Sequence, residues 1–212
     1  MRAEPCHVML HRTERFPTML TVIIPTHNSE RALVPTLAML VPGAMSGTVR
    51  EVIVADAGSS DATAQVVDVA GCAIMVSSAP LAARLKAAAS GARGSWLMFL
   101  RPGVVLDGAW VEEATRLIED AAMRGTADGQ AAVFRRAAAP GAAEPLSRQV
   151  FALVAAALRG PHPDQGLMLS RVAYDRFGGH RVAAADPETE LLRRIGRRRI
   201  ATLRSAAIGW PG

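Results

Sequence analysis

Short apolar runs alternate along this chain with longer stretches of helical periodicity, and that alternation limits the folds open to it more than any other feature. Leu20–Ile24 (stopped by Pro25), Glu51–Ala55, Ala73–Val76 and Trp96–Leu100 read as strands. They are near-continuously apolar, the pattern of strands covered on both faces. Between them lie a helix carrying Leu33, Leu37 and Leu40 on one face, with Asn28 or Ser29 as its cap and Pro35 in its first turn, a capped helix from Ala62 to Val69, and a helix over about Pro80 to Ala92. Strand, helix, strand in repetition predicts an α/β fold with a mostly parallel sheet and helices on both faces, a Rossmann-like three-layer arrangement. The pattern continues with a helix over Ala109–Met123, a strand near Ala131–Arg135, and an Ala/Pro/Gly connector over Ala137–Pro145. A helix over Leu146–Leu158, a turn and short strand over Asp164–Ser170, and an amphipathic helix over Pro187–Ile195 follow.

At 212 residues the chain suffices for one domain with a full core. The expected division is a tail over 1–18 and a domain over 19–212, with a first half to residue 105 and a second half from 106. Residues Met1–Phe16 mix charges and histidines and have no apolar segment of the signal-peptide kind. The apolar run Phe151–Leu158 falls far short of the roughly 20 residues that span a bilayer. Cys6 and Cys72 make no disulfide framework, so buried thiols in a reducing, cytoplasmic compartment are expected. Cys6, His7 and His11 share a tail too short of structure to count as a metal site.

The net charge is +5, and Lys86 is the only lysine among 24 basic residues. Guanidinium forks suit an anionic ligand such as a nucleoside diphosphate. The run Arg193–Arg199 follows an amphipathic helix and lacks interleaved aromatics, so it reads as a solvated face or a peripheral membrane contact, and no nucleic-acid partner is expected.

In an open parallel sheet, ligands gather beyond the carboxyl ends of the strands. Three such ends are polar here: Pro25-Thr26-His27-Asn28, Asp56-Ala57-Gly58-Ser59-Ser60-Asp61 and Arg101-Pro102-Gly103. No G-x-G-x-x-G follows the first strand and no G-x-x-x-x-G-K-[ST] occurs, which argues against a dinucleotide site and excludes a P-loop. Gly58 permits a sharp turn, and Ser59, Ser60 and Asp61 suit a helix cap.

Thr21 to Glu30 followed by Glu51 to Thr63 closely resembles the opening of family-two glycosyltransferases of the GT-A fold. Pro163 to Arg171, with Asp164-Gln165-Gly166 at its centre, then Phe177-Gly178-Gly179 and Pro187 to Arg194, is similar to one subgroup, the radical-SAM/selenodomain-associated transferases. The resemblance covers most of the chain from Leu20 to Leu203. It implies that Pro25, Thr26, Asn28, Glu30, Asp56, Gly58 and Arg84 bind the nucleotide-sugar donor, with Asp56 on the base. It implies that Asp164, Gln165 and Gly166 meet the acceptor, and that Glu188 is the general base of an inverting transfer. Asp186 and Glu190 compete with Glu188 for that role, although Glu188 and Glu190, two residues apart, point about 200° away from one another on a helix. Their alternative reading is favourable charge at a helix N-terminus.

The chain departs from the family after the fourth strand. Where the family carries Asp-x-Asp, or His-Ala-Asp in the subgroup, and binds magnesium or manganese, this sequence reads Arg101-Pro102-Gly103, with no acid before Asp107. A hard cation needs oxygen ligands, so no metal cofactor is expected. Two alternatives stay open. In one, Arg101 takes the cation's place at the diphosphate, aided by Arg84 and Lys86. In the other, transfer has been lost and a nucleotide- or partner-binding module remains. A nucleotidyltransferase ranks last, because its glycine-rich, lysine-containing loop after the first strand is absent.

Overall fold

The structure is a computed structural model and describes residues 20–137 and 160–210. The tail over 1–18, the connector beyond Ala137 and the helix over Leu146–Leu158 lie outside the described residues. Eight strands form one sheet: β1 (Leu20–Thr26), β2 (Val49–Asp56), β3 (Ala73–Val76), β4 (Trp96–Phe99), β5 (Val104–Leu106), β6 (Ala131–Ala137), β7 (Leu167–Ser170) and β8 (Ile200–Gly209). Their order is β3-β2-β1-β4-β7-β6-β8-β5. Pairing is parallel from β3 through β4, as the βαβ pattern requires, then antiparallel on both sides of β7, parallel between β6 and β8, and antiparallel at the β5 edge.

The helices are α1 (Glu30–Met45), α2 (Thr63–Val69), α3 (Leu81–Gly91), α4 (Trp110–Arg124), α5 (Arg171–Arg176) and α6 (Pro187–Ile195). Alternation along single strands shows why the strands are apolar throughout. Val22 and Ile24 of β1 and Trp96 and Met98 of β4 pack with Leu33, Leu37, Leu40 and Trp110 on the α1/α4 side. Ile23, Leu97 and Phe99 pack with Leu85, Tyr174, Leu191 and Ile195 on the α3/α5/α6 side. The sheet thus separates two apolar cores, and the three-layer expectation holds.

Several local expectations need correction. Helix α1 starts at Glu30 and runs through Pro35 and Pro42 to Met45, so Pro35 sits inside the helix rather than in its first turn. Its N-cap is Ser29, yet no side chain of the cap residue bonds the helix; Asp61 of the next loop accepts from the Glu30 N–H instead, at 3.1 Å. Cys72 lies just before β3 and is half-buried, not enclosed in a strand, because β3 is the exposed edge of the sheet. Strands β5 and β8 and helix α5 were not foreseen. In β8 the in-out alternation breaks down, and its pairing with β6 slips between Val133 and Arg135. No described helix is long and apolar enough to cross a membrane.

Candidate functional site

The carboxyl ends of β1, β2 and β4 open on the same side of the sheet, and each brings its polar segment there. At the β1 and β2 ends the two loops are tied to one another. Asn28, at φ 48°, is the one non-glycine with positive φ among the described residues, and short polar side chains tolerate that region best. Its N–H donates to Ser59 Oγ at 2.8 Å, and its Oδ1 accepts from the Ser60 N–H at 2.9 Å. Glu30 Oε2 accepts from the Ala62 N–H at 2.9 Å, answering the bond from the Glu30 N–H to Asp61. Asp61 also accepts from the N–H and hydroxyl of Thr63, at 3.0 and 2.6 Å, and so does the capping work beside Ala62, the N-cap of α2.

Asp56 sits beneath this knot, 3% exposed. It accepts from the hydroxyls of Thr26 and Ser59 (2.7 and 2.5 Å) and from the N–H groups of Gly58 and Ser59 (2.8 and 2.7 Å). Burial pushes its carboxyl up, but these four donors outweigh it and hold the group below the ordinary range. A carboxylate has about four acceptor sites, and the protein fills all of them. A nucleotide base would have to displace one donor, and the two that are hydroxyls, on Thr26 and Ser59, can rotate. Gly58, at φ 89°, provides the left-handed turn; a Cβ there would meet nothing within 4 Å. Pro25 and Thr26 close β1 in the core, Pro25 pairing with Ala55. Arg84 reaches from α3 to the carbonyls of Thr26 (3.3 Å), Ala79 (3.2 Å) and Ala55, so it braces the ends of β1 and β2 rather than standing free for a phosphate.

The β4 end differs in kind. Arg101 donates from Nε and Nη2 to Glu188 Oε2 at 2.8 and 2.7 Å, and from Nη1 to Asp164 Oδ1 at 3.1 Å. Residues expected in three separate roles thus form one charge cluster. The side chains of Arg101 and Asp164 are 32% and 38% exposed, that of Glu188 only 8%. Burial pushes the Glu188 carboxyl above its ordinary value, with the Arg101 bonds offsetting only part of this and the charges of Asp186 and Asp164 adding to it. For Arg101, burial works against the charge, but Glu188 and Asp164 prevail and raise its pKa.

Helix α6 settles which of its three acids faces the cluster. Asp186 is the N-cap, accepting from the N–H and hydroxyl of Thr189 at 3.1 and 2.7 Å. Glu190 turns to Arg194 and Arg181, at 3.3 and 3.7 Å. Glu188 alone points inward to Arg101. In the Pro163–Gln165 3-10 turn, the expected acceptor trio separates. Gln165 Oε1 accepts from the His162 N–H and its amide donates to the Phe134 carbonyl, both at 2.8 Å, so its side chain is committed to the turn. Gly166, at φ 67°, is needed for packing: a Cβ would lie 2.7 Å from Leu100 Cδ2. Of the three, Asp164 is the one that reaches the cleft. Sequence reading missed His162 and Arg136, whose Nδ1 and Nη2 approach Asp164 Oδ2 at 3.2 and 3.9 Å. No motif marks them; His162 caps the turn that carries Asp164, while chain topology brings Arg136 near from β6.

A divalent cation does not fit this position. A fixed guanidinium occupies it, and the next acid, Asp107, accepts from the N–H groups of Ala206 and Ala109 at 2.7 and 3.2 Å. Among the described residues no group of three His, Cys, Asp or Glu is placed to hold a metal ion.

Comparison with known proteins bears on the family and the fold. A family model described as glycosyl transferase family 2 matches residues 21–138. No curated protein matches the chain in sequence. Among solved structures, S. aureus TarS superposes with a TM-score of 0.63 at 17% identity, covering 91% of this chain and 60% of that one. The mannosyltransferase PcManGT from Pyrobaculum calidifontis, solved with GDP-Man and Mn2+, gives 0.67 at 16%, covering 89% and 56%. Glucosyl-3-phosphoglycerate synthase from Mycobacterium tuberculosis, solved with Mn2+, UDP and glucosyl-3-phosphoglycerate, gives 0.56 at 18%, covering 89% and 70%. The chain therefore spans under two thirds of the first two. At these identities the likeness establishes a shared fold, the GT-A-like α/β arrangement.

Proposed function

We propose that this chain, which belongs to the family 2 glycosyl transferases, moves a sugar from a nucleotide-activated donor to an acceptor hydroxyl, with inversion and without a metal ion. The observation that carries the reading is the bond set of Arg101 to Glu188 and Asp164 where the family's metal motif would fall. Glu188 takes the proton of the acceptor hydroxyl as its oxygen attacks the sugar's C1. The bond from C1 to the phosphate oxygen breaks, and the nucleoside diphosphate leaves with the electron pair. A carboxyl raised by burial is better matched to taking that proton near neutral pH than an ordinary one. Arg101 has five N–H donors, of which three are used; the remaining two are assigned to the leaving diphosphate, as fixed positive charge at the point where negative charge develops.

The knotted β1–β2 loops form the floor for the base and ribose, with Pro25, Thr26, Asn28, Glu30, Asp56 and Gly58 shaping it and Arg84 bracing it. Asp164 meets the acceptor, and Gln165 and Gly166 set its place. The resemblance of the Asp164-Gln165-Gly166 and Pro187–Arg194 segments supports a place in the radical-SAM/selenodomain-associated subgroup.

The same cluster favours a second reading. Arg101 and Arg136 are balanced by Asp164 and Glu188, which leaves no net positive charge to receive a polyanionic donor and suits a module that has ceased to transfer. Calorimetric titration with UDP, GDP and a panel of nucleotide sugars, with Mn2+ or with chelator, separates the two. Binding indifferent to chelator and lost in Arg101→Ala supports transfer through arginine. Binding that Mn2+ strengthens overturns the metal-free reading, and no binding at all favours the second.

A further inference from the structure

Helix α1 lies at the surface, yet from Ala32 to Val49 the chain carries no charged residue. Its inner face is accounted for by Leu33, Leu37 and Leu40 in the core. Its outer face presents Val34, Ala38, Val41 and Met45, spaced by four, three and four residues, which sets them in one seam along the helix. Val34 and Val41 are 51% exposed and Met45 is 84% exposed. Beside the seam runs α2, whose Val69 is 89% exposed, and between the two helices lies a groove of about 480 Å³. Leu37, Val41, Val52, Val66 and Val69 line it together with Gln65, and no charged side chain borders it among the described residues.

Helix α4 shows how a solvated helix of this chain is built. Its outer face holds Glu112, Arg116, Glu119, Asp120 and Arg124, with ion pairs one turn apart. The α1/α2 face has no such charges, and a continuous exposed apolar patch of this kind marks an interaction site.

The charges at its rim identify what covers it. Arg31 heads the α1 seam, three residues before Val34, and Asp68 stands in the last turn of α2; both are exposed. The two helices follow the parallel strands β1 and β2 and run the same way, so these charges lie at opposite ends of the face. An anionic bilayer calls for a basic rim, and this rim is balanced. A face that is apolar along its length, positive at one end and negative at the other is complementary to itself turned end for end, which is the condition for a two-fold interface.

We propose that the α1/α2 face joins two copies of this chain, with α1 of one laid antiparallel on α1 of the other. The seam from Arg31 to Met45 is then centred on Ala38, whose small side chain lets the helices approach closely at the axis. Arg31 comes over the last turn of the partner's α2 and donates to the partner's Asp68. The exposed face amounts to several hundred Å², comparable with the roughly 800 Å² that each partner of a standard interface buries. The helices meet along their sides, so the cleft at the strand ends stays open.

Sedimentation equilibrium of the full chain is expected to show a reversible dimer with a dissociation constant on the order of micromolar or tighter. Val41→Glu, at a half-exposed position, sets a carboxylate in the seam and is expected to raise that constant about thirtyfold or more. Arg31→Asp brings like charges together and is expected to weaken the dimer about fivefold; adding Asp68→Arg is expected to restore it to within about twofold. An acid at the start of α1 and a base at the end of α2 suit the helix dipoles, so circular dichroism is expected to stay unchanged. Ala38→Cys is expected to cross-link under mild oxidation, with peptide mapping placing the bond between residue 38 of both chains. A chain that is monomeric at every concentration overturns the proposal. So does a dimer that Val41→Glu leaves equally tight, or a double exchange that fails to restore it. A monomer that binds vesicles of phosphatidylcholine and phosphatidylserine, and loses them in Val41→Glu, would give the face to a bilayer and overturn it as well.

Discussion

The two sides of the cleft are built by different physics. At the β1 and β2 ends, nearly every polar group is satisfied inside the protein: Asp56 by four donors, Asn28 by Ser59 and Ser60, Glu30 by Ala62. At the β4 end, one arginine joins a strand to a turn and a helix by charge, with both of its bonds to Glu188 ending on Oε2. A region whose partners lie within a few residues of one another, or in the next loop, becomes a rigid floor. A region held by ion pairs between residues more than sixty positions apart keeps atoms available for chemistry.

The sharpest way to break this contrast is Glu188→Gln. A general base contributes about 10²–10⁴-fold, so transfer from a nucleotide sugar is expected to fall by that range while the fold persists. Its pH dependence has a definite sign. Because the folded-state pKa of Glu188 lies above its unfolded value, the stability it contributes is fully present below the unfolded pKa and is lost as pH rises through the folded one. Melting curves are thus expected to show wild type losing stability relative to Glu188→Gln as pH rises from about 4 toward neutrality. The reverse trend would mean that the Arg101 bonds, not burial, control the group.

Next in size is Gly166→Ala, which forces a Cβ to 2.7 Å from Leu100 at φ 67°. Overpacking of this kind costs about 1–3 kcal/mol, and thermal denaturation is expected to show a drop of about 2–12 °C. If activity toward an acceptor fell with no change in melting temperature, Gly166 would be an acceptor contact after all. Asp56→Asn probes the floor. It removes a charge that accepts four bonds, expected to cost about 2 kcal/mol at neutral pH. Asp56 has a depressed folded-state pKa, so its contribution is present above the unfolded value and lost as pH falls through the folded one. The gap between variant and wild type should therefore narrow below about pH 4. The smallest effect is expected for Glu112→Ala, which removes an exposed i,i+4 pair with Arg116 and should change stability by less than about 0.5 kcal/mol.

Much of this was legible in the chain because the determining contacts are local or periodic. The apolar runs that fill both cores, the start of α6 at Pro187 and the polar ends of β1, β2 and β4 need only period and spacing to be read. Strand β8 was not legible, since its alternation is broken by a register slip that only its neighbour β6 imposes. Nor was the commitment of Gln165 and Arg84 to backbone carbonyls, because an amide or a guanidinium looks the same in sequence whether it faces a ligand or a strand end.

By itself the sequence determined the layered α/β fold and membership in its family, both of which follow from residue types at fixed spacing. Only the tertiary structure decided what Arg101 does with its charge. Its partners, Glu188 and Asp164, are 87 and 63 residues away. Side-chain pairing at that separation is set by how strands and helices stack, and no local pattern encodes it.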